Sequence, residues 1–211
     1  QRRGDAASAY THGRRAVDLA EGAGERLAAA AFGLNLGLAC FELGQLGEAL
    51  ARVRTGAEQI ADLGNLGQLA HAALNLAHIH QAFGDDNAAA ELLPLAERSA
   101  REANQPSVVA HADITWAGIE LRRGKRQASI ARVDAALERI SSCSDEARPL
   151  LFARAALALA EAGLRERAAA ALGAPELADK SQQVDAARMV DLARGTLALT
   201  GTFEERRAAV D

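Results

Sequence analysis

His71, Asn75 and His78 follow one another at steps of four and three, the spacing that stacks side chains on one face of a helix. Two imidazoles in such a row raise the question of a metal ion. A separation of seven residues places them about 10 Å apart along a helix axis, too far to share one ion unaided. His111 lies one repeat further on, but no cysteine or carboxylate cluster completes a coordination shell. The run "HIHQAFGDD" brings His78, His80, Asp85 and Asp86 close in sequence, yet residues two apart point to different helix faces. No metal and no cofactor is expected. What the row can do is hydrogen-bond. The carboxamide of Asn75, matched by Asn35 one repeat earlier, offers both a donor and an acceptor, as an extended backbone requires.

Catalytic constellations are missing. There is no phosphate-binding Gly-x-x-x-x-Gly-Lys, no His-Glu-x-x-His and no nucleophile elbow, so catalysis is not expected. Asp113 and Glu120 are carboxylates seven apart in columns that are apolar, small or weakly polar in most other copies, and they call for partners, arginines first. The densest basic patch, "RRGKR" from Arg122 to Arg126, spans a turn without interleaved aromatics or an extended arginine stripe. Nucleic acid is therefore not the expected partner.

Composition sets the elements that must position these residues. Hydrophobic residues make up 49% of the 211, yet aromatics only 3%, so alanine and leucine carry the apolar content. Both are strong helix formers. The net charge of −4 points to no particular partner, and the near-absence of lysine (Lys125 and Lys180) reads as the mark of a GC-rich genome. Cys40 and Cys143 form no disulfide framework, which favours a reducing, cytoplasmic setting. No apolar run approaches the ~18 residues of a membrane span, and no partner membrane is expected.

The elements repeat. "LNLGLACFELGQLGEAL" (34–50) returns as "LNLAHIHQAFGDDNAAAEL" (74–92), and aligning on the glycine gives Gly4, Gly44, Gly84, Gly124, Gly163 and Gly201, at spacings of 40, 40, 40, 39 and 38. Three columns hold small residues: Gly37, Ala77, Ala117 and Ala156; Ala9, Ala49, Ala89, Ser129 and Ala168; Ala16, Gly56, Ala96 and Ala136. The glycine ends a helix where a left-handed residue is cheapest without a Cβ. The first two small columns would let paired helices cross closely, the third would let the next repeat's helix nest. Larger apolar residues between them, such as Leu36, Leu76, Val53, Leu93, Val133 and Leu172, mark the buried stripe.

An all-α fold of helix pairs follows, with first helices near 26–43, 66–83, 107–123, 147–162 and 181–200. Second helices are predicted near 5–21, 46–63, 87–103, 126–141, 165–173 and 202–210, with "LGN", "NQP" and "SSCSD" as turns between pairs. Pro94 should kink its helix or mark a lost hydrogen bond. Arg194 and Arg206 break the small columns in the last pair, and Gly4 at the start implies a first pair without its leading helix, as in an excerpt of a longer array.

Leu36-Gly37 before the turn glycine Gly44 and the alanine Ala49, repeated as Leu76-Ala77 and Trp116-Ala117, resembles the tetratricopeptide repeat signature. The resemblance covers essentially the whole chain and is strongest over 26–141. The period of about 40 exceeds the usual 34. This is similar to the long-helix arrays of kinesin light chains and of bacterial maltose-activator-like regulators and signal-transduction ATPases. Cys40, His80, Glu120 and Leu159 stand where a tyrosine is common in that family. The resemblance implies one 1–211 α-α superhelix whose first helices line a concave face, binding a partner protein or extended peptide as a scaffold. On that face it places Ala31, Asn35, Leu38 and Glu42; His71, Asn75, His78 and Ala82; His111, Thr115, Gly118 and Arg122; and Leu150, Arg154, Leu157 and Glu161. Asn35 and Asn75 are its leading contacts, with Leu38, Glu42, His71, His78, His111, Thr115 and Arg122 beside them. Alternatives are a small-molecule effector gating an attached ATPase, kinase or DNA-binding domain, and a structural spacer.

Overall fold

The computed structural model describes residues 2–174, 177 and 184–200. Ten α-helices follow in chain order, and no strand occurs among the described residues: α1 (Arg2–Gly22), α2 (Arg26–Glu42), α3 (Leu46–Asp62), α4 (Leu66–Ala82), α5 (Asp86–Glu102), α6 (Pro106–Arg122), α7 (Arg126–Ile140), α8 (Arg148–Glu161), α9 (Arg165–Leu172) and α10 (Val184–Thr200). The predicted elements from 26 to 173 are therefore present in place and type. The segment 202–210, with Gly201 and Arg206, lies outside the described residues.

From α2 to α6 every helix has 17 residues. The turns between them close in one way. Gly24, Gly44, Gly64, Gly84, Gly124 and Gly163 all adopt positive φ, between 68° and 79°, and Asn104 takes φ 53° in the same role. The residue after the glycine donates back to a carbonyl near the helix end. Examples are Gln45 N to Cys40 O at 2.9 Å, Asp85 N to His80 O at 2.9 Å and Lys125 N to Glu120 O at 2.8 Å. This is the Schellman geometry, and it pairs carbonyls the helix would leave bare. The "SSCSD" turn differs. There Arg148 caps the end of α7 by donating Nε to Cys143 O at 3.1 Å and Nη2 to Ser141 O at 3.2 Å.

The chain divides into two compact units, Gln1–Val108 and Val109–Asp211. In the first, α1 packs on α2, α2 on α3, α3 on α4 and α4 on α5, with α2 also touching α4. Its core includes Leu34, Cys40, Val53, Ile60, Leu76 and Ile79. The small columns explain the close approach. A Cβ on Gly37 would stand 2.5 Å from Val53 Cγ2, and one on Gly56 would stand 2.9 Å from Leu34 Cδ2 and 3.1 Å from Ala30 O. Gly56 thus faces α2, its own pair's first helix, not the next repeat's helix as its column suggested.

Two further expectations are corrected. Gly4 lies inside α1, which already runs from Arg2, so it ends no helix. The column alanine Ala9 is exposed on α1, whereas Ala49, Ala89 and Ala168 are fully buried. For Pro94 the lost hydrogen bond is the alternative that applies: α5 runs through it, with the proline ring on the solvent side. Its ring nitrogen carries no proton, so one intrahelical bond is absent without the helix ending.

In the second unit α7 packs on α8, and α8 takes both α9 and α10. α9 has only 8 residues, too few to cover α8. α10 takes up that surface through Met189, Val190, Ala193 and Leu197, at helical steps, against Phe152, Ala153 and the surrounding core. Arg194, which breaks the small column, is turned to solvent, and Ala193 is buried in its stead.

Candidate functional site

In the first unit the predicted stripe lies on two neighbouring helices. Asn35 and Glu42 on α2 are exposed, with Leu38 half-buried between them. His71 on α4 is exposed, and Asn75 and His78 are half-buried. These six accessible side chains stand at stripe positions of α2 and α4, helices whose buried residues include Leu36, Cys40, Leu76 and Ile79. Among the described residues no hydrogen bond is formed by the side chain of Asn35 or Asn75. Asn65 is the contrast: its Oδ1 accepts from Gln68 N at 2.9 Å and caps α4. One asparagine therefore serves the fold, and two present their carboxamides outward.

The His71 imidazole, although the residue reaches solvent, is crowded enough that desolvation lowers its pKa from 6.5. It is thus neutral near pH 7 and carries one N–H donor and one acceptor. Glu42 is the only acidic residue, and no Lys or Arg stands, among the first unit's stripe positions.

The second unit carries the remaining predicted residues, on α6. His111 is half-buried and Arg122 exposed. Thr115 is not presented: it is buried, and its Oγ1 donates to His111 O at 2.8 Å within its own helix. Two contacts here were not foreseen. Gly118 leaves open space at its position, and the Arg122 guanidinium lies back over it, with Nη1 3.4 Å from where a Cβ would stand. Arg122 also acts on Glu161, the residue at the same position of α8. Burial raises the Glu161 carboxyl above its ordinary range and the arginine charge opposes that rise. The shared register position was the available signal for this pair.

The other flagged groups are structural. Asp113 is 2% exposed and accepts from Arg132 Nη1 at 2.8 Å and Arg139 Nε at 3.2 Å, both on α7. Arg132 also lies 5.3 Å from the Trp116 ring centre, a cation–π contact. Glu120 meets Lys125 at 3.2 Å and Arg123 at 3.7 Å, while Arg126 donates Nε to Ala162 O at 2.8 Å. Most of the basic run is thereby tied to neighbouring turns. Burial pushes both free thiols, Cys40 and Cys143, above the usual thiol value. Among the described residues no group of three His, Cys, Asp or Glu side chains could hold a metal ion. No helix among them is long and apolar enough to cross a membrane. A cleft of about 640 Å³ lies at α9 and α10, lined by Gly163, Leu164, Arg165, Glu166 and Leu197 among others. It is of small-molecule size and apart from the stripe residues of α8.

No protein-family model and no curated protein matches the chain. Among solved structures, BtubC (BKLC) from P. vanneervenii is similar over 100% of this chain and 87% of its own, with a TM-score of 0.67 and 18% sequence identity. At that identity the likeness concerns the fold, and it agrees with the ten packed helices: this is an all-α helical-repeat protein.

Proposed function

We propose that the chain is a non-catalytic, tetratricopeptide-like interaction module of a bacterial regulatory protein, binding an extended segment of a partner protein along the first helices. The observation that carries this reading is the pair Asn35 and Asn75. They recur at one register position on adjacent helices, they are accessible, and neither is held by a hydrogen bond within the described residues. A carboxamide that stabilised the fold would be bonded as Asn65 is. A ladder of outward carboxamides instead suits the repeating N–H and C=O groups of an extended backbone, whatever its side chains. The neutral His71 extends the same donor and acceptor row.

Peptides selected on the full chain from a random display library test it. The Asn35→Ala, Asn75→Ala double variant should bind them about tenfold more weakly, the worth of two modest hydrogen bonds. Helicity and melting temperature should stay where they were, because neither side chain holds the fold. Equal binding by the variant removes the stripe from consideration.

A further inference from the structure

A smaller cleft lies in the first unit, where the turn from α1 to α2 meets the end of α3. It holds about 230 Å³ and is lined by Glu21, Gly24, Arg26, Ala29, Gln59 and Leu63. Gly24 closes the turn at φ 74°, and nothing stands within 4 Å of where its Cβ would be, so the space stays open. The lining carries both signs of charge. Glu21 in the last turn of α1, Arg26 at the start of α2 and Gln59 in the last turn of α3 are all exposed. Among the described residues none of these three side chains forms a hydrogen bond or an ion pair. Glu21 and Arg26 therefore share a cleft without answering each other. Ala29 and Leu63, half-buried, supply the apolar part of the wall. The turn itself does not need the polar groups. One repeat on, the same register reads Ala61, Leu66 and Ser99, and Gly64 closes that turn at φ 68° in the same way.

We infer that this cleft binds a small zwitterion, a free α-amino acid with an apolar side chain. The ligand's carboxylate pairs with the Arg26 guanidinium and its ammonium with the Glu21 carboxylate, while the Gln59 carboxamide, donor and acceptor at once, serves either end. The apolar side chain lies against Ala29 and Leu63. An ion of one sign would leave either Glu21 or Arg26 unanswered, and a zwitterion answers both. The size agrees, because about 230 Å³ falls below the ~300–1,000 Å³ of pockets for drug-sized ligands. The helix poles favour the same orientation. α2 begins at Arg26 and turns its positive pole to the cleft, whereas α1 and α3 end there without a basic residue in the last turn. The cleft shares no residue with the stripe and does not depend on peptide binding. An occupant would join α1, α2 and α3 and so stabilise the first unit.

The test is the melting temperature of the full chain with L-alanine, L-valine or L-leucine, followed by calorimetric titration. At about 10 mM, with a Kd of about 1 mM, the best of them should raise the melting temperature by about 3 °C. Isovalerate and isobutylamine, which keep the valine side chain but only one charge each, should leave it unchanged. Glu21→Ala and Arg26→Leu each install the residue found one repeat on, so both should melt as the parent does without ligand. Each should weaken binding about tenfold or more, the worth of a charged hydrogen bond. The Asn35→Ala, Asn75→Ala double variant should bind the amino acid as the parent does. No shift with any of the three amino acids, a shift that isovalerate or isobutylamine reproduces, or unchanged binding by Glu21→Ala or Arg26→Leu overturns the inference and leaves the stripe standing. Loss of amino-acid binding in the double asparagine variant would place the ligand elsewhere and overturns it as well.

Discussion

At the scale of single residues, Asp113 and Asn35 are opposite solutions to the same problem. Each is a polar side chain on a first helix of an apolar array. Asp113 is sealed in and answered twice by arginines from α7, whereas Asn35 is left open and unanswered. The sequence showed that Asp113 needed arginines but not which ones, because Arg132 and Arg139 are identified only by the packing of α6 on α7. The arrangement is asymmetric. Arg132 and Arg139 keep 36% and 41% of their side-chain surface exposed and can turn to water if the acid is removed. Asp113 cannot. Asp113→Asn, which keeps an acceptor, should cost about 1–2 kcal/mol. Removing both arginines strands a buried charge and should cost about 3–5 kcal/mol. Chemical denaturation orders the two, and the reverse order would mean that the carboxylate is not the group being stabilised. Thr115 is the residue the register misjudged. Counting gives the angle around a helix, but a threonine hydroxyl can fold back onto the carbonyl four residues earlier, and this one does.

At the scale of the helix and its turns, glycine takes both signs. Gly44 has φ 79°, a conformation in which a Cβ is strained, so Gly44→Ala should lower stability by roughly 1–2 kcal/mol although nothing lies within 4 Å of the added carbon. Gly33, inside α2 and equally unobstructed, has no such φ. There alanine should add about 0.5–1 kcal/mol. Opposite shifts in melting temperature from the same substitution in one helix pair are the expected reading. Two shifts of the same sign would deny that backbone angle, and not side-chain room, separates the sites. The same turns show what the sequence left hidden. A period of 40 was legible from the hinge glycines, but the structure closes a turn every 20 residues: Gly24, Gly44, Gly64, Gly84, Asn104 and Gly124. Asparagine at 104, which tolerates the left-handed conformation, and the differently capped turn around Cys143 interrupt the glycine series in sequence, so the shorter step did not stand out. Gly4 fits the long series by spacing alone. A turn also needs helix ends on either side, and α1 runs on from Arg2. The packing of α10 on α8 was illegible for a similar reason, since it follows from α9 being too short and not from any feature of α10 itself.

At the scale of the whole molecule, the first unit is built of consecutive helices that pack mainly on their sequence neighbours, which makes that unit nearly one-dimensional in energy. A disturbance should then stay with its helix pair and fade at the next. Gly37→Ala tests this, because its Cβ would stand 2.5 Å from the Val53 side chain, which has to move, and 3.3 Å from Ala49 O. Overpacking of this kind costs about 1–3 kcal/mol, partly offset by roughly 1 kcal/mol of helix propensity, for a net loss of up to about 2 kcal/mol. Hydrogen exchange reads where the loss falls. Amides of α2 and α3 should lose protection most, those of α4 less, and those of α8 and α10, in the other compact unit, should keep theirs. An equal loss from α2 to α10 would show that the array opens only as a whole. A change at the stripe could then not be separated from a change in global stability, and the binding variants at Asn35 and Asn75 would have to be judged against melting curves in every case. A local loss means that those substitutions report on the surface where they lie.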